Sequence, residues 1–141
     1  MHHDSYNGEY PSNPFEFNHL DLNFLVLYVN GISVPAKPLT PDFEHGRYMD
    51  AYQTLFLGLD NAWKNYTHGI TPQKYKQDTA LYVFDLTPDS CSNVTSHVNL
   101  VTTGVLRLEA KFKNPLTKSV NLVCYGEMES IVEIDSSRNV I

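Results

Sequence analysis

The strongest constraint in this chain is an unbroken alternation over residues 106–113. Leu106, Leu108, Ala110 and Phe112 fall on one side, and Arg107, Glu109, Lys111 and Lys113 on the other. A period of two residues marks a strand with one dry and one wet face. Asn114 and Pro115 then supply a turn, because proline pre-sets φ and removes a ladder donor while the asparagine side chain can bond its own backbone. A second strand is predicted from Val120 to about Ile134. Its first part is apolar on both faces, Val120, Leu122 and Cys124 against Val123 and Tyr125, which predicts a place between neighbours. A hairpin cannot bury its face alone, so the rest of the chain has to supply a second sheet.

Earlier segments carry the same signals. Phe15 and Phe17 alternate with polar residues as a short strand. Leu22, Phe24, Val26 and Tyr28 oppose Leu25, Leu27 and Val29 in a central strand, and Asn30-Gly31 suits a tight hairpin turn. The return through Ile32, Ser33 and Val34 is expected to stop at Pro35 and Pro38. Leu81 to Phe84 and Val98 to Val101 read as further strands. The only helical stripe, Tyr48, Tyr52, Leu55, Phe56 and Leu59, predicts a helix over about 47–59. The polar stretch from Asp60 to Thr79 holds the single Trp63, and a long inter-strand loop is normally functional or covered by a partner.

The chain therefore reads as all-β: an antiparallel β-sandwich of the jelly-roll type, with one helix in a long inter-strand connection. Residues 1–13 are expected to form a flexible N-terminal arm, 14–135 a single jelly-roll domain and 136–141 a C-terminal tail. The expected core contains Leu106, Leu108, Ala110, Phe112, Leu122, Cys124, Phe24, Val26, Val83 and Phe84.

Charge and motif content narrow the function. A net charge of −6 over 141 residues argues against direct nucleic-acid binding. No apolar run is long enough for a membrane span, and no secretory signal pattern opens the chain, so an intracellular location is expected. Cys91 and Cys124 are too few for a disulfide framework and are read as free thiols. The six histidines form no H-E-x-x-H or H-x-H motif, no G-x-S-x-G occurs, and neither cysteine has a histidine beside it. The chain is expected to be no enzyme and to need no cofactor or metal. Glu127, Glu129, Glu133 and Asp135 read as the solvated side of the last strand. A carbohydrate-binding β-sandwich module is the alternative function, with Trp63, Tyr66 and Tyr75 as candidate sugar-stacking residues.

Four separated blocks carry a resemblance. In order, PFEFNHLDLNFLVLYVNGISVPAKPLTPDF, YMDAYQTLFLG, LYVFDLTPD and GVLRLEAKFKNPLTKSVNLVCYGEMESIVEIDSSRNV resemble the C-terminal part of the major capsid protein of Polinton (Maverick) elements and adenovirus-like double-jelly-roll viruses, including endogenous viral element copies in animals. That family has two jelly rolls, and this chain corresponds to the second only. The resemblance implies a structural, hexon-like protein located in the virion. Two jelly rolls would stand side by side, with three copies forming a capsomer. The implied partners are an upstream jelly roll in a homotrimer and the neighbouring capsid subunits. Contact residues are expected in the loops and helix, namely Tyr48, Trp63, Tyr66 and Tyr75.

Overall fold

The computed structural model of the chain describes residues 7, 13–57, 69–87 and 103–127. Three strands, β1 at Leu22–Val29, β2 at Ile32–Leu39 and β3 at Leu106–Phe112, form an antiparallel sheet in the order β2-β1-β3. Two short helices, α1 at Met49–Leu57 and α2 at Pro72–Gln77, complete the regular structure. The described residues are thus mostly sheet with little helix, as an all-β reading requires.

The turn between β1 and β2 follows directly from its sequence. Asn30 and Gly31 have φ of 51° and 86°, the left-handed geometry that this pair tolerates and that matches the twist of the strands. Asn30 also starts β3: its N–H donates to the Val105 carbonyl at 3.0 Å, and its side-chain oxygen accepts from the Val105 N–H at 3.0 Å. Gly104 approaches so closely that a Cβ there would lie 2.7 Å from the Asn30 side chain.

Two irregularities change which faces the side chains occupy. Leu22 pairs with Phe112 and Phe24 with Lys111, so Asn23 is an extra residue on β1. This bulge moves Leu22 onto the face of Leu25, Leu27 and Val29, and away from Phe24, Val26 and Tyr28 where plain alternation places it. On the other side, β2 runs through Pro35 and Pro38 to Leu39, against the expectation that they end it. The ladder breaks between the pairs Leu27–Val34 and Leu25–Leu39, and both prolines lie in that break, where no ladder N–H is needed.

The core forms in two connected parts. Leu22, Leu25 and Leu39 on the sheet are packed by Tyr82, Phe84, Leu108 and Phe112. Phe43, Ala51, Tyr52, Leu55 and Tyr75 form the second part, again with Tyr82 against it. Helix α1 presents the stripe predicted for it, and it begins and ends two residues inside the expected 47–59. Helix α2 is a correction to the one-helix reading: Thr71 caps it by accepting from the Lys74 N–H at 3.2 Å, and Pro72 sits in the first turn where its missing N–H costs nothing.

Other expectations are revised. Val26 is fully buried, and Phe24, Leu108, Phe112, Val83 and Phe84 are half-buried, but Leu106, Ala110, Leu122 and Cys124 are exposed. Among the described residues, the Leu25 face of the sheet is covered where Tyr82 and Phe84 lie, and residues 121–127 belong to no strand. Residues 80–86 join no strand either, and the strand at Phe17 reduces to a single bridge to Thr79, held by Phe17 N–H to Asp78 O at 2.7 Å and Ala80 N–H to Phe17 O at 2.8 Å. No second sheet forms among the described residues. The predicted strand at 98–101, the later part of the one ending near 134, and the tail at 136–141 lie outside the described residues, as does nearly all of the arm at 1–13.

Leu55 is 2% exposed, so Leu55→Ala is expected to cost about 2–5 kcal/mol in urea unfolding. Phe112→Ala should fall below the roughly 3–5 kcal/mol of a fully buried phenylalanine, and Leu106→Ala should cost no more than about 0.5 kcal/mol.

Candidate interaction surface

Among the described residues, no group of three or more His, Cys, Asp or Glu side chains is placed to hold a metal ion. The Cys124 thiol is exposed, and Cys91 lies outside the described residues. What the fold does assemble is a sheet with two unlike faces.

One face is closed by its own charged residues. Opposite Phe24, Val26 and Tyr28 on β1 stand Lys111, Glu109 and Arg107 on β3. The Arg107 guanidinium lies 4.3 Å from the Tyr28 ring centre and the Lys111 ammonium 4.6 Å from that of Phe24. Glu109 between them is 3.8 Å from Arg107 and 3.1 Å from Lys111. Cation–ring attraction holds the long stems flat, and Val26 beneath them is fully buried. The two-faced apolar pattern of β1 is therefore satisfied within the chain on this side.

Among the described residues, the other face is covered at one end. Around Leu22, Leu25 and Leu39 it meets Tyr82 and Phe84. Toward the Asn30-Gly31 turn, Val29 pairs with Ile32 on one side and Leu106 on the other. There Ile32 and Leu106, which flank Val29, are 73% and 52% exposed, and Val105, next to Leu106 in the chain, is 74% exposed. The exposure of Leu106 departs from the sequence reading, in which alternation places it on a buried face.

The sequence-predicted contact residues fall elsewhere. Tyr75 is fully buried, so it is a core residue and neither a contact nor a sugar-stacking side chain. Tyr48 is half-buried, stacked on Phe43 with ring centres 5.3 Å apart, and its hydroxyl donates to Pro72 O at 3.2 Å. Trp63 and Tyr66 lie outside the described residues. Burial pushes the Tyr75 and Tyr82 phenols well above the usual tyrosine range, so both stay neutral.

A polar rim stands beside the sheet. The Asp42 carboxylate accepts from Arg47 at 2.5 Å and from the His45 backbone N–H at 3.2 Å, with the His45 ring at 2.8 Å. The Arg47 bond, then the His45 N–H, hold this carboxyl well below the usual range. Glu44 pairs with Lys113, which lowers the carboxyl and raises the ammonium. His19 stacks on Phe43 at 3.9 Å, and its Nδ1 accepts from the Asp21 N–H at 2.9 Å. Burial lowers its pKa against the opposing pull of Asp21. These groups are local clamps: Asp42 and Arg47 also exchange two backbone hydrogen bonds of 2.8 Å.

No protein-family model and no solved structure matches the chain. It is similar to an uncharacterized protein of Caenorhabditis elegans, F54H12.2, at 25% identity over 140 residues, which is 98% of this chain and 33% of that protein. The chain thus spans about a third of the length of the relative it matches. Among the described residues, no helix is long and apolar enough to cross a membrane.

The lowered groups set the response to acid. His19 resists protonation more in the folded state than unfolded, so stability is fully present above pH about 6.5 and declines as pH falls through it. Asp42 and Glu44 keep their charge to lower pH folded than unfolded, so their contribution is present above pH about 4 and is lost below it. Urea midpoints measured from pH 8 to 3 should fall in two stages, with Asp42→Asn flattening the lower stage and His19→Phe the upper.

Proposed function

We propose that this chain is a structural capsid domain, equivalent to the second jelly roll of a double-jelly-roll major capsid protein, which works by being covered rather than by catalysis. The observation that carries the reading is the exposure of Ile32 and Leu106 on either side of Val29 at the turn end of the sheet. A small domain gains nothing from leaving such a row in water, whereas a domain standing beside a first jelly roll buries it. Support comes also from the ordered sequence blocks and from the antiparallel pairing of the sheet. A relative about three times as long leaves room for a companion domain. The acidic balance suits a shell component that leaves the genome to other proteins.

On this reading the cation-covered face of the sheet looks outward and the patch looks toward the companion jelly roll, with the virion as the site of action. The carbohydrate-binding alternative draws no support from Tyr75, which is buried, and its other candidate stacking residues, Trp63 and Tyr66, lie outside the described residues.

Expressed with a polypeptide carrying a first jelly roll of this capsid type, the chain should sediment as a heterologous assembly containing three copies. Ile32→Glu combined with Leu106→Glu should abolish that association while leaving the circular dichroism of the isolated chain unchanged. Failure to associate by the unmodified pair, or association indifferent to both substitutions, removes the capsid reading.

A further inference from the structure

The entry into β1 is closed by a histidine acting as a hydrogen-bond acceptor. His19 Nδ1 accepts the Asp21 N–H at 2.9 Å, and the Leu22 N–H donates back to His19 O at 2.9 Å. Between them Leu20 and Asp21 have φ of 49° and 52°, left-handed values that cost free energy in residues with a side chain. A ring nitrogen accepts only while it carries no proton, so neutral His19, with its proton on Nε2, is what closes this turn.

Three other parts of the fold meet at the same residue. Asp21 O accepts the Lys113 N–H at 2.9 Å, which ties the turn to the end of β3. The His19 ring lies on Phe43, with centres 3.9 Å apart and planes 10° from parallel, and Phe43 belongs to the core cluster of Tyr52 and Tyr75. Glu44, next in the chain, pairs with Lys113 and completes the circuit. The charged groups acting on His19 are Asp21, whose carboxylate stands 3.5 Å from Nδ1, and Lys76 on α2. Asp42, Glu44 and Lys113 line the adjoining depression together with Asp21 and Phe43. The His19 side chain is 20% exposed, so a proton from solvent can reach it.

We propose that His19 is a proton-operated latch on this end of the sheet. When Nδ1 takes up a proton it releases the Asp21 N–H and turns to the Asp21 carboxylate, and the 19–22 turn and the Lys113 end of β3 open together. Release lets Leu20 and Asp21 leave the left-handed region, which adds to the drive. Phe43, 2% exposed beneath the ring, gains an open face. In the closed form burial outweighs the pull of Asp21 and keeps the ring neutral, with Lys76 acting in the same direction as burial. Opening therefore takes up a proton, and falling pH favours it from the ordinary histidine range near 6.5 downward. The centre of the sheet and the cluster around Tyr75 keep their own contacts, so the movement is local.

The latch is independent of the capsid reading, since none of its residues belongs to the Ile32–Leu106 end of the sheet. Amide exchange of the 141-residue chain, expressed as protection factors, tests it between pH about 7.5 and about 5.5, where Asp42 and Glu44 stay charged. Protection of the Asp21, Leu22 and Lys113 amides should fall by about tenfold or more over that range, while amides at the centre of β1 keep theirs. His19→Asn keeps an acceptor for the N–H two residues on and takes up no proton, so protection at Asp21 and Lys113 should stay high at both pH values. His19→Phe keeps a ring on Phe43 without an acceptor, and protection there should be low at both. Protection that does not change with pH in the unmodified chain, an equal loss at the centre of β1, or a pH dependence that persists in either variant overturns the proposal.

Discussion

Tyr75 is the joint on which the described fold depends. It is fully buried, and its ring lies 5.3 Å from Tyr52, 6.1 Å from Tyr48, and 6.3 Å from both Phe43 and Tyr82. Those partners come from α1, from the loop before it and from the segment that covers the sheet. A short helix such as α2 has little stability of its own, and its N-cap Thr71 with Pro72 in the first turn only sets where it starts. Burying Tyr75 is what holds it. Tyr82 then passes the constraint on, because it packs against both core clusters and so fixes the helical layer relative to β1 and β2. Hydrogen bonds across the same seam, Tyr52 to Ile70 O at 2.7 Å and Val83 N–H to Thr54 at 3.3 Å, give the contact a direction that apolar packing alone lacks.

How much of this was legible depends on whether the signal was local. The Asn30-Gly31 turn, the strand at β3 and the stripe of α1 are set by neighbours a few residues away, and they form as the sequence predicts, although Leu106 and Ala110 of β3 are exposed. The bulge at Asn23 is different. It arises from the fit between β1 and β3, more than eighty positions apart in the chain, and no local pattern announces it. Helix α2 did have a local signal in Thr71-Pro72, but its six residues show no apolar stripe, since Tyr75 alone faces inward. Tyr75 in a polar segment was therefore read as a contact residue. Its burial comes from tertiary packing, which overrides the polarity of its surroundings. The exposed patch at Ile32 and Leu106 was hidden for the converse reason: alternation says which face a residue takes but not how far along the strand the cover extends.

The two faces of the sheet reach burial by different means, and this limits where a partner can act. On the Val26 face the cover comes from Arg107 and Lys111 laid over aromatic rings, with Glu109 balancing their charge. Such a face is dry beneath and wet above, and it resists association because docking would strip water from three charged groups. On the Leu25 face the cover is aromatic and ends at Tyr82 and Phe84. Apolar exposure on the sheet therefore falls beside the turn, at Ile32 and Leu106, while Phe15, Met49, Leu57, Leu86, Leu116 and residues 122, 123 and 125 are exposed away from it.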